Sequence, residues 1–317
     1  MRNTLFIFFV CTTGILAWTT ATVYSTNTVR IIACDVGQGD GILVQYKTRQ
    51  ILIDGGKPNG KIVPCLSRHM PFWDRTIEVV LLTHPQLDHF GGLIDVFQTY
   101  TVRVFLANSL DSNSQEYRMF KSLVAKSDTR VVNPTRGQRI QMGLVTLDIL
   151  NPTKEFLAQK TTAMSQVSQE DGLGYSTSNA DPNDFSLVAM VRFGEFDALF
   201  TGDIGPQVSD QIAQIIQENE HDPIEYLKVP HHGSKNGLSS KLLKVLNPQI
   251  AVISCGKKYS YGHPRREIIT LLHDQGVRIL RTDEDGDSIV ETNGRETTIQ
   301  KDEQNFFSRL RSHMKSL

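Results

Sequence analysis

The chain has 317 residues, 39% hydrophobic and 21% charged, and a formal net charge of -1. That length suits one large domain or two small ones. The balanced charge excludes a globally basic nucleic-acid binder, so any affinity for a polyanion has to come from local clusters.

No charge occurs between Arg2 and Arg30, and Leu5 to Tyr24 is apolar with interspersed threonines. About 20 apolar residues span a bilayer, and a signal-peptide core needs about 7–15. Residues 1–27 therefore read as a signal anchor or a cleaved signal peptide, with one N-terminal hydrophobic helix. Either form places the rest of the chain outside the cytoplasm, because Arg2 and the amino terminus stay inside. Of the four cysteines, Cys11 lies in this segment, and Cys34, Cys65 and Cys255 are far apart without C-x-x-C spacing. They read as neither a disulfide framework nor a zinc ribbon, with Cys34 and Cys255 as core residues.

From Val29 the pattern is mostly short strands. Val29–Cys34, Gly41–Tyr46 and Gln50–Asp54 are extended, with D-V-G-Q-G-D as the first turn. A short helix over Lys61–Met70, a strand over Ile77–Thr83, a helix over Leu93–Thr99 and a strand over Val102–Leu106 follow. Ser114–Lys126 has helical spacing at Tyr117, Phe120, Leu123 and Val124, and Leu144–Leu150 closes this half. Thr153–Pro182 is rich in Ser, Thr, Gln, Asn and Gly and reads as a mobile loop or insertion. Beyond it, strands at Phe185–Phe193, Asp197–Thr201, Ile224–Val229, Ile250–Ser254, Val277–Leu280 and Ser288–Thr292 alternate with helices at Gln207–Gln217, Ser239–Leu246 and Arg265–His273. Two halves, 29–150 and 184–292, would pack as two mixed sheets face to face with helices outside. One domain spans residues 28–295, with 153–182 as its insertion and 296–317 as a charged tail.

Five strand-like runs end in clusters of Asp, His and Gly: I-L-I-D-G-G, V-V-L-L-T-H-P-Q-L-D-H, A-L-F-T-G-D, L-K-V-P-H-H-G-S and A-V-I-S-C-G, the last followed by Y-G-H-P. Imidazoles and carboxylates gathered at strand ends are the ligand set for a divalent metal. His84, Asp88 and His89 can face one point. Asp203 supplies a bridging carboxylate, and His231 or His232 closes a second site. Such a centre acidifies a bound water and clamps the oxygens of a displacement.

These motifs make the chain resemble the metallo-β-lactamase superfamily, and within it the extracytoplasmic nuclease-like domain of the competence protein ComEC. The resemblance runs from about Val29 to Thr292, through D-V-G-Q-G-D (35–40), L-I-D-G-G (52–56), T-H-P-Q-L-D-H-F-G-G-L (83–93), N-D-F-S-L-V (183–188), T-G-D-I (201–204), V-P-H-H-G-S-K (229–235) and Y-G-H-P (261–264). It implies an α/β fold, a four-layer αββα sandwich with a centre of one or two ions between the sheets. The family's metal loop is usually H-x-H-x-D-H, with Asp at the third position in the ComEC branch. Here that position is Gln86, a weak ligand, and Asn183 and Asp184 stand in the third motif's stretch. The oxygen-rich set fits Mn or Zn, with Mg as a further choice. A single apolar segment cannot form a DNA channel, so uptake would need a separate DNA-channel protein.

Among the other motif residues, Asp54 reads as an orienter of a ligand. Asp35 and Asp40 flank the Gly turn and either shape it or reach the metal. Asp88 and Asp203 are the carboxylates expected to act in catalysis. His263 would give a proton to the leaving oxygen or contact phosphate. Lys228, Ser234, Lys235, Lys257, Lys258, Arg265 and Arg266 surround the histidine motifs and suit a phosphodiester backbone, with Tyr259 and Tyr261 placed to stack on bases. The leading expectation is a divalent-metal phosphodiesterase acting on DNA. The alternatives are a hydrolase of a small ester, lactone or β-lactam, and a nucleic-acid-binding module disabled at Gln86.

Overall fold

A computed structural model of the protein describes residues 27–163, 172–174, 176–219, 223–257 and 262–301. The strands in chain order are Val29–Ala33 (β1), Ile42–Tyr46 (β2), Arg49–Ile53 (β3), Thr76–Leu82 (β4), Thr101–Ala107 (β5), Arg130–Val132 (β6), Arg139–Met142 (β7) and Val145–Asn151 (β8). Then come Thr162–Ala163 (β9), Ser176–Thr177 (β10), Val188–Phe193 (β11), Phe196–Phe200 (β12), Tyr226–Lys228 (β13), Ile250–Ile253 (β14), Arg278–Arg281 (β15), Ser288–Thr292 (β16) and Thr297–Lys301 (β17). The helices are Ile62–His69 (α1), Leu87–Phe90 (α2), Leu93–Thr99 (α3), Gln115–Lys126 (α4), Lys154–Lys160 (α5), Pro206–Glu218 (α6), Ser240–Leu246 (α7), Arg266–Asp274 (α8) and Thr282–Asp285 (α9).

Two large sheets form, in the orders β17-β16-β1-β2-β3-β4-β5-β6 and β15-β14-β13-β12-β11-β8-β7. Alternate residues of each strand divide between two cores, as period 2 requires. Ile31, Val44, Ile53 and Leu81 of the first sheet meet Val191, Phe200, Tyr226 and Val252 of the second. The opposite faces carry Leu52 and Val80 against α1, α3 and α4, and Leu199 and Ala251 against α6, α7 and α8. This is the expected αββα layering. Side-chain caps start the outer helices: Ser114 accepts from the Tyr117 amide and Ser239 from the Leu242 amide.

Strands β3 to β6 run parallel, as do β12 to β15. Parallel strands end on one side, and ligands gather outside those carboxyl ends. All five Asp/His/Gly motifs follow such ends.

The division into halves 29–150 and 184–292 is corrected. The β16–β17 hairpin returns to pair with β1, and the β7–β8 hairpin joins the second sheet beside β11. Register with distant strands, invisible in local periodicity, decides this. The tail also begins later than residue 296, since Thr297–Lys301 pairs with β16. Thr153–Pro182 is not structureless: Thr153 caps α5, and β9 pairs with β10. Cys34 bonds to Cys65 in a disulfide, while Cys255 is free and buried. The 31-residue separation gives no sequence signal; the end of β1 meets α1 only through packing. Beside it, Asp287 accepts from His69 (2.9 Å), Arg68 (2.5 Å) and the Asp35 amide (2.8 Å). The N-terminal segment lies outside the described residues, and no helix among those described is long and apolar enough to cross a membrane.

Candidate metal centre

The first sheet supplies the T-H-P-Q-L-D-H loop after β4. Helix α2 starts at Leu87, so Asp88 and His89 share one turn and His84 lies on its approach. Neighbouring turns press onto this loop. A Cβ at Gly39 would stand 2.0 Å from the Asp88 carbonyl, and one at Gly92 the same distance from that of Gly55. Glycine is what allows both approaches.

Asp54 fixes the rings. Its φ is 58°, left-handed, which turns the carboxylate into the sheet interface. Oδ1 accepts from the Thr83 amide and Oδ2 from the Thr83 hydroxyl, both at 2.8 Å. Oδ2 also accepts from His89 Nδ1 at 2.8 Å. The Thr83 hydroxyl has one hydrogen and gives it to Asp54, so the His84 Nδ1, 3.0 Å away, must be the donor in their contact. Both imidazoles therefore carry hydrogen on Nδ1 and present Nε2 to the centre. Burial raises the Asp54 carboxyl, and His89 pulls it back only in part.

The second sheet brings Asp203 after β12 and His232 after β13. His231 and His232 both have left-handed backbones, at φ 52° and 55°. Five non-glycine residues among those described have positive φ, and three of them (Asp54, His231, His232) lie at this rim, so the backbone strain concentrates where the chemistry is. The turn lets His232 Nδ1 donate to the Ser254 carbonyl at 3.0 Å. His232 Nε2 then faces Asp203 Oδ2 at 3.2 Å and Asp88 Oδ2 at 3.6 Å. His89 Nε2 is 3.3 Å from the same Asp203 oxygen.

The Nε2 atoms of His84, His89 and His232 are buried without a hydrogen-bond partner. Four sets at the centre have ligand atoms within 4.8 Å of one another: His84, His89 and Asp203; Asp88, His89 and His232; Asp40, Asp203 and His232; Asp40, Asp54 and His89. Three orphaned imidazole nitrogens among carboxylates are costly unless a cation takes their lone pairs, so the residues fit a divalent ion.

Lys228 is a correction. The sequence groups it with the substrate-facing basic residues, yet it is buried, paired to Asp40, 3.4 Å from Asp203 Oδ1 and donating to the Gly202 carbonyl at 3.0 Å. Inward pleating on β13 decides this. Burial alone would discharge the ammonium, but Asp40 and Asp203 outweigh it and hold its pKa up. Burial likewise opposes charge on Asp203, but His232, His89 and Lys228 keep it ionised, well below the usual carboxylate range. His89 and His232 are held well above the usual imidazole value by Asp203 with Asp54 and Asp40 respectively, against burial. His84 differs: burial and then its neighbour His89 push it down to about 3.

Residues 34–257 match the family model of the metallo-beta-lactamase superfamily. The chain belongs to the metallo-beta-lactamase superfamily. Among its relatives, ComE operon protein 3 of Bacillus subtilis is 24% identical over 270 residues, covering 80% of this chain and 31% of that protein. Competence protein ComA of Neisseria gonorrhoeae is 24% identical over 263 residues, 82% of this chain and 32% of that protein. The chain thus spans about a third of the length of these relatives. The metallo-beta-lactamase fold protein YhfI from Bacillus subtilis superposes with a TM-score of 0.53 at 13% identity, over 83% of this chain and all of YhfI.

Within this metallo-beta-lactamase frame the other expected residues separate. His231 belongs to none of the ligand sets; its ring stands perpendicular to His263, 5.7 Å between centroids. His263 is half-buried, and burial followed by His231 and His232 lowers its pKa to about 4. With that pKa the ring is neutral near pH 7. Gln86 stands at the His84 ring and occupies the position before α2 without a side-chain cap. Asp40 reaches the centre through Lys228 and lies 3.4 Å from His232 Nδ1. Asp35 only shapes its turn, accepting from Gly37 and pairing with Lys61. Asp184 joins no ligand set, and Asn183 is buried beside it. The residue that matters in that stretch is Ser186, whose hydroxyl accepts from the Asp203 amide at 3.3 Å and lies 3.4 Å from His84 Nδ1. Sequence reasoning missed Ser186 and Thr83; a hydroxyl within one residue of a strand-end motif was the available signal. Ser234 is buried and accepts from the Asn236 amide, whereas Lys235, Lys257 and Arg265 are exposed on the loops flanking His232. Lys258 and Tyr261 lie outside the described residues.

Proposed function

We propose that this protein is a divalent-metal phosphodiesterase that cleaves DNA outside the cytoplasm, held to or exported across a membrane by its N-terminal segment. The observation that carries the reading is the convergence of three partnerless Nε2 atoms with Asp88 and Asp203, beside loops that expose Lys235, Lys257 and Arg265. His84, His89, His232, Asp88 and Asp203 would hold one or two ions, with Mn or Zn fitting the mixed nitrogen and oxygen donors and Mg a weaker match. Such an ion supplies Lewis acidity and a water acidified toward neutral pH.

The chain's own residues do the rest. Asp54 and Thr83 hold the His89 and His84 rings, and the Ser254 carbonyl holds His232. His232, His89 and then Lys228 keep Asp203 ionised against its burial. Lys235, Lys257 and Arg265 offset the phosphodiester charge, which a neutral ester or β-lactam would not need. Neutral His263 offers a hydrogen bond to a phosphoryl or leaving oxygen. The competence relatives support DNA as substrate and a role in DNA uptake. A DNA-channel protein is the proposed partner in that role.

The test uses metal-stripped protein with labelled single- and double-stranded DNA, adding manganese, zinc or magnesium in turn. Cleavage should require metal and be lost in Asp203→Ala with the fold retained. Full activity of that variant, or hydrolysis of a generic ester but not of DNA, would refute the reading.

A further inference from the structure

The rim of the first sheet opposite the metal centre carries its own chemistry. Phe72 is 81% and Trp73 52% exposed, the largest apolar side chains on the described surface to be so open. They stack edge-on at 4.7 Å in the turn between α1 and β4. A soluble surface has no use for two adjacent open aromatics, and such pairs mark an interaction site.

The strand register says what lies beside them. Arg75 precedes β4, which runs parallel to β3 with Ile51 opposite Val79, so Ile77 falls level with Arg49 and Arg75 with Lys47. Arg49 pairs with Tyr46, and Tyr46 with Val29. The Tyr46 hydroxyl donates to Asn27 at 2.8 Å, where the chain arrives from its uncharged N-terminal segment. The aromatic turn and the point of entry therefore share one rim. Lys47, Arg49 and Arg75 are exposed there, Lys47 lying over the Tyr46 ring and Arg75 over that of Tyr100.

We propose that this rim is a bilayer contact: Phe72 and Trp73 insert at the lipid interface, and Lys47, Arg49 and Arg75 meet anionic headgroups. The inference rests on the N-terminal segment being retained as an anchor, not on the phosphodiesterase reading. Tryptophan favours the headgroup level, and basic residues are drawn to an anionic surface. The consequence is orientation. Strand β4 has seven residues, so the metal centre stands roughly 20 Å farther out, with its mouth turned from the bilayer toward incoming substrate.

Trp18→Phe leaves Trp73 as the sole tryptophan of the full chain. That variant, reconstituted in phosphatidylethanolamine–phosphatidylglycerol vesicles, would be read by quenching with acyl-brominated lipid and with aqueous iodide. The expected result is quenching by brominated lipid, shielding from iodide, and loss of both on adding Lys47→Glu and Arg75→Glu. Protein that pellets with vesicles but leaves Trp73 open to iodide overturns the contact while keeping the anchor. Protein that does not pellet overturns both. Neither readout depends on metal or on cleavage.

Discussion

The two sheets contribute to the metal centre in different ways. The first sheet gives a compact half: His84, Asp88 and His89 within six residues, braced by Thr83 and the Asp54 carboxylate of the next strand. The second gives a dispersed half: Asp203 from the end of β12, Lys228 and His232 from the end of β13, with a buried ammonium offsetting buried carboxylates. One half is preorganised by a local hydrogen-bond relay through Asp54 and Thr83, the other by charge balance in a dry interior. The first should tolerate loss of charge better than the second.

The largest test of that difference is Lys228→Met. It leaves Asp40 and Asp203 buried without their cation, and removing one partner of a buried pair costs about 3–5 kcal/mol. Denaturant unfolding of metal-free protein should show a loss of that order. Adding Asp40→Asn should recover much of it. A wild-type midpoint for Lys228→Met would mean that charge balance does not hold the second half together.

The compact half was legible in sequence and the dispersed half only partly, for a physical reason. A motif such as T-H-P-Q-L-D-H fixes its own geometry through one turn, so spacing alone predicts convergence. Lys228 looks like any basic residue before a histidine pair. Only the inward face of β13, set by pairing with β12 and β14, shows that its ammonium is internal. The same limit explains the halves: β16, β17, β7 and β8 were visible as extended segments or missed as short ones, but their sheet membership is a long-range register. It explains Cys34 and Cys65 too, since two cysteines 31 residues apart declare nothing until α1 packs on β1. Layering and the chemistry of the rim, by contrast, follow from period-2 patterning and recurrent polar strand ends.

Asp54→Asn probes the compact half. The amide keeps the shape but accepts poorly from His89 Nδ1 and the Thr83 hydroxyl, so both rings lose their fixed tautomer. Replacing such outer partners lowers metal affinity about 10–100-fold. Titration of metal-free protein with zinc should show this with little change in the unfolding midpoint. An unchanged affinity would remove the Asp54–Thr83 relay from the account.

Asp287 lies beside the compact half, under the turn that carries Asp40. Burial works against its charge, but hydrogen bonds from His69, Arg68 and the Asp35 amide bring its pKa to about 2, from an ordinary 3.8. A carboxyl depressed by folding stabilises the fold above its unfolded value and ceases to do so as pH falls through its folded one. The window is therefore about pH 4 down to 2, and the contribution above it about 2 kcal/mol. Asp287→Asn should be less stable by that amount near pH 7. The gap to wild type should narrow as pH drops below about 4. A gap independent of pH would assign the loss to packing.

The smallest effect separates two adjacent histidines. His231 and His232 share a left-handed turn, but only His232 has a nitrogen tied to a carbonyl and the other aimed at Asp203. His232→Ala removes a member of two of the ligand sets, whereas His231→Ala leaves all of them intact. The second should bind metal as wild type does and, if its ring borders the substrate with His263, show a raised KM with metal content unchanged. Alanine does not release the strained turn, since any non-glycine residue there keeps a left-handed backbone cost. Metal analysis beside cleavage kinetics on the two variants decides it. Equal metal loss in both would mean that either ring can turn inward, and the order imposed by the Ser254 carbonyl would no longer explain which one does.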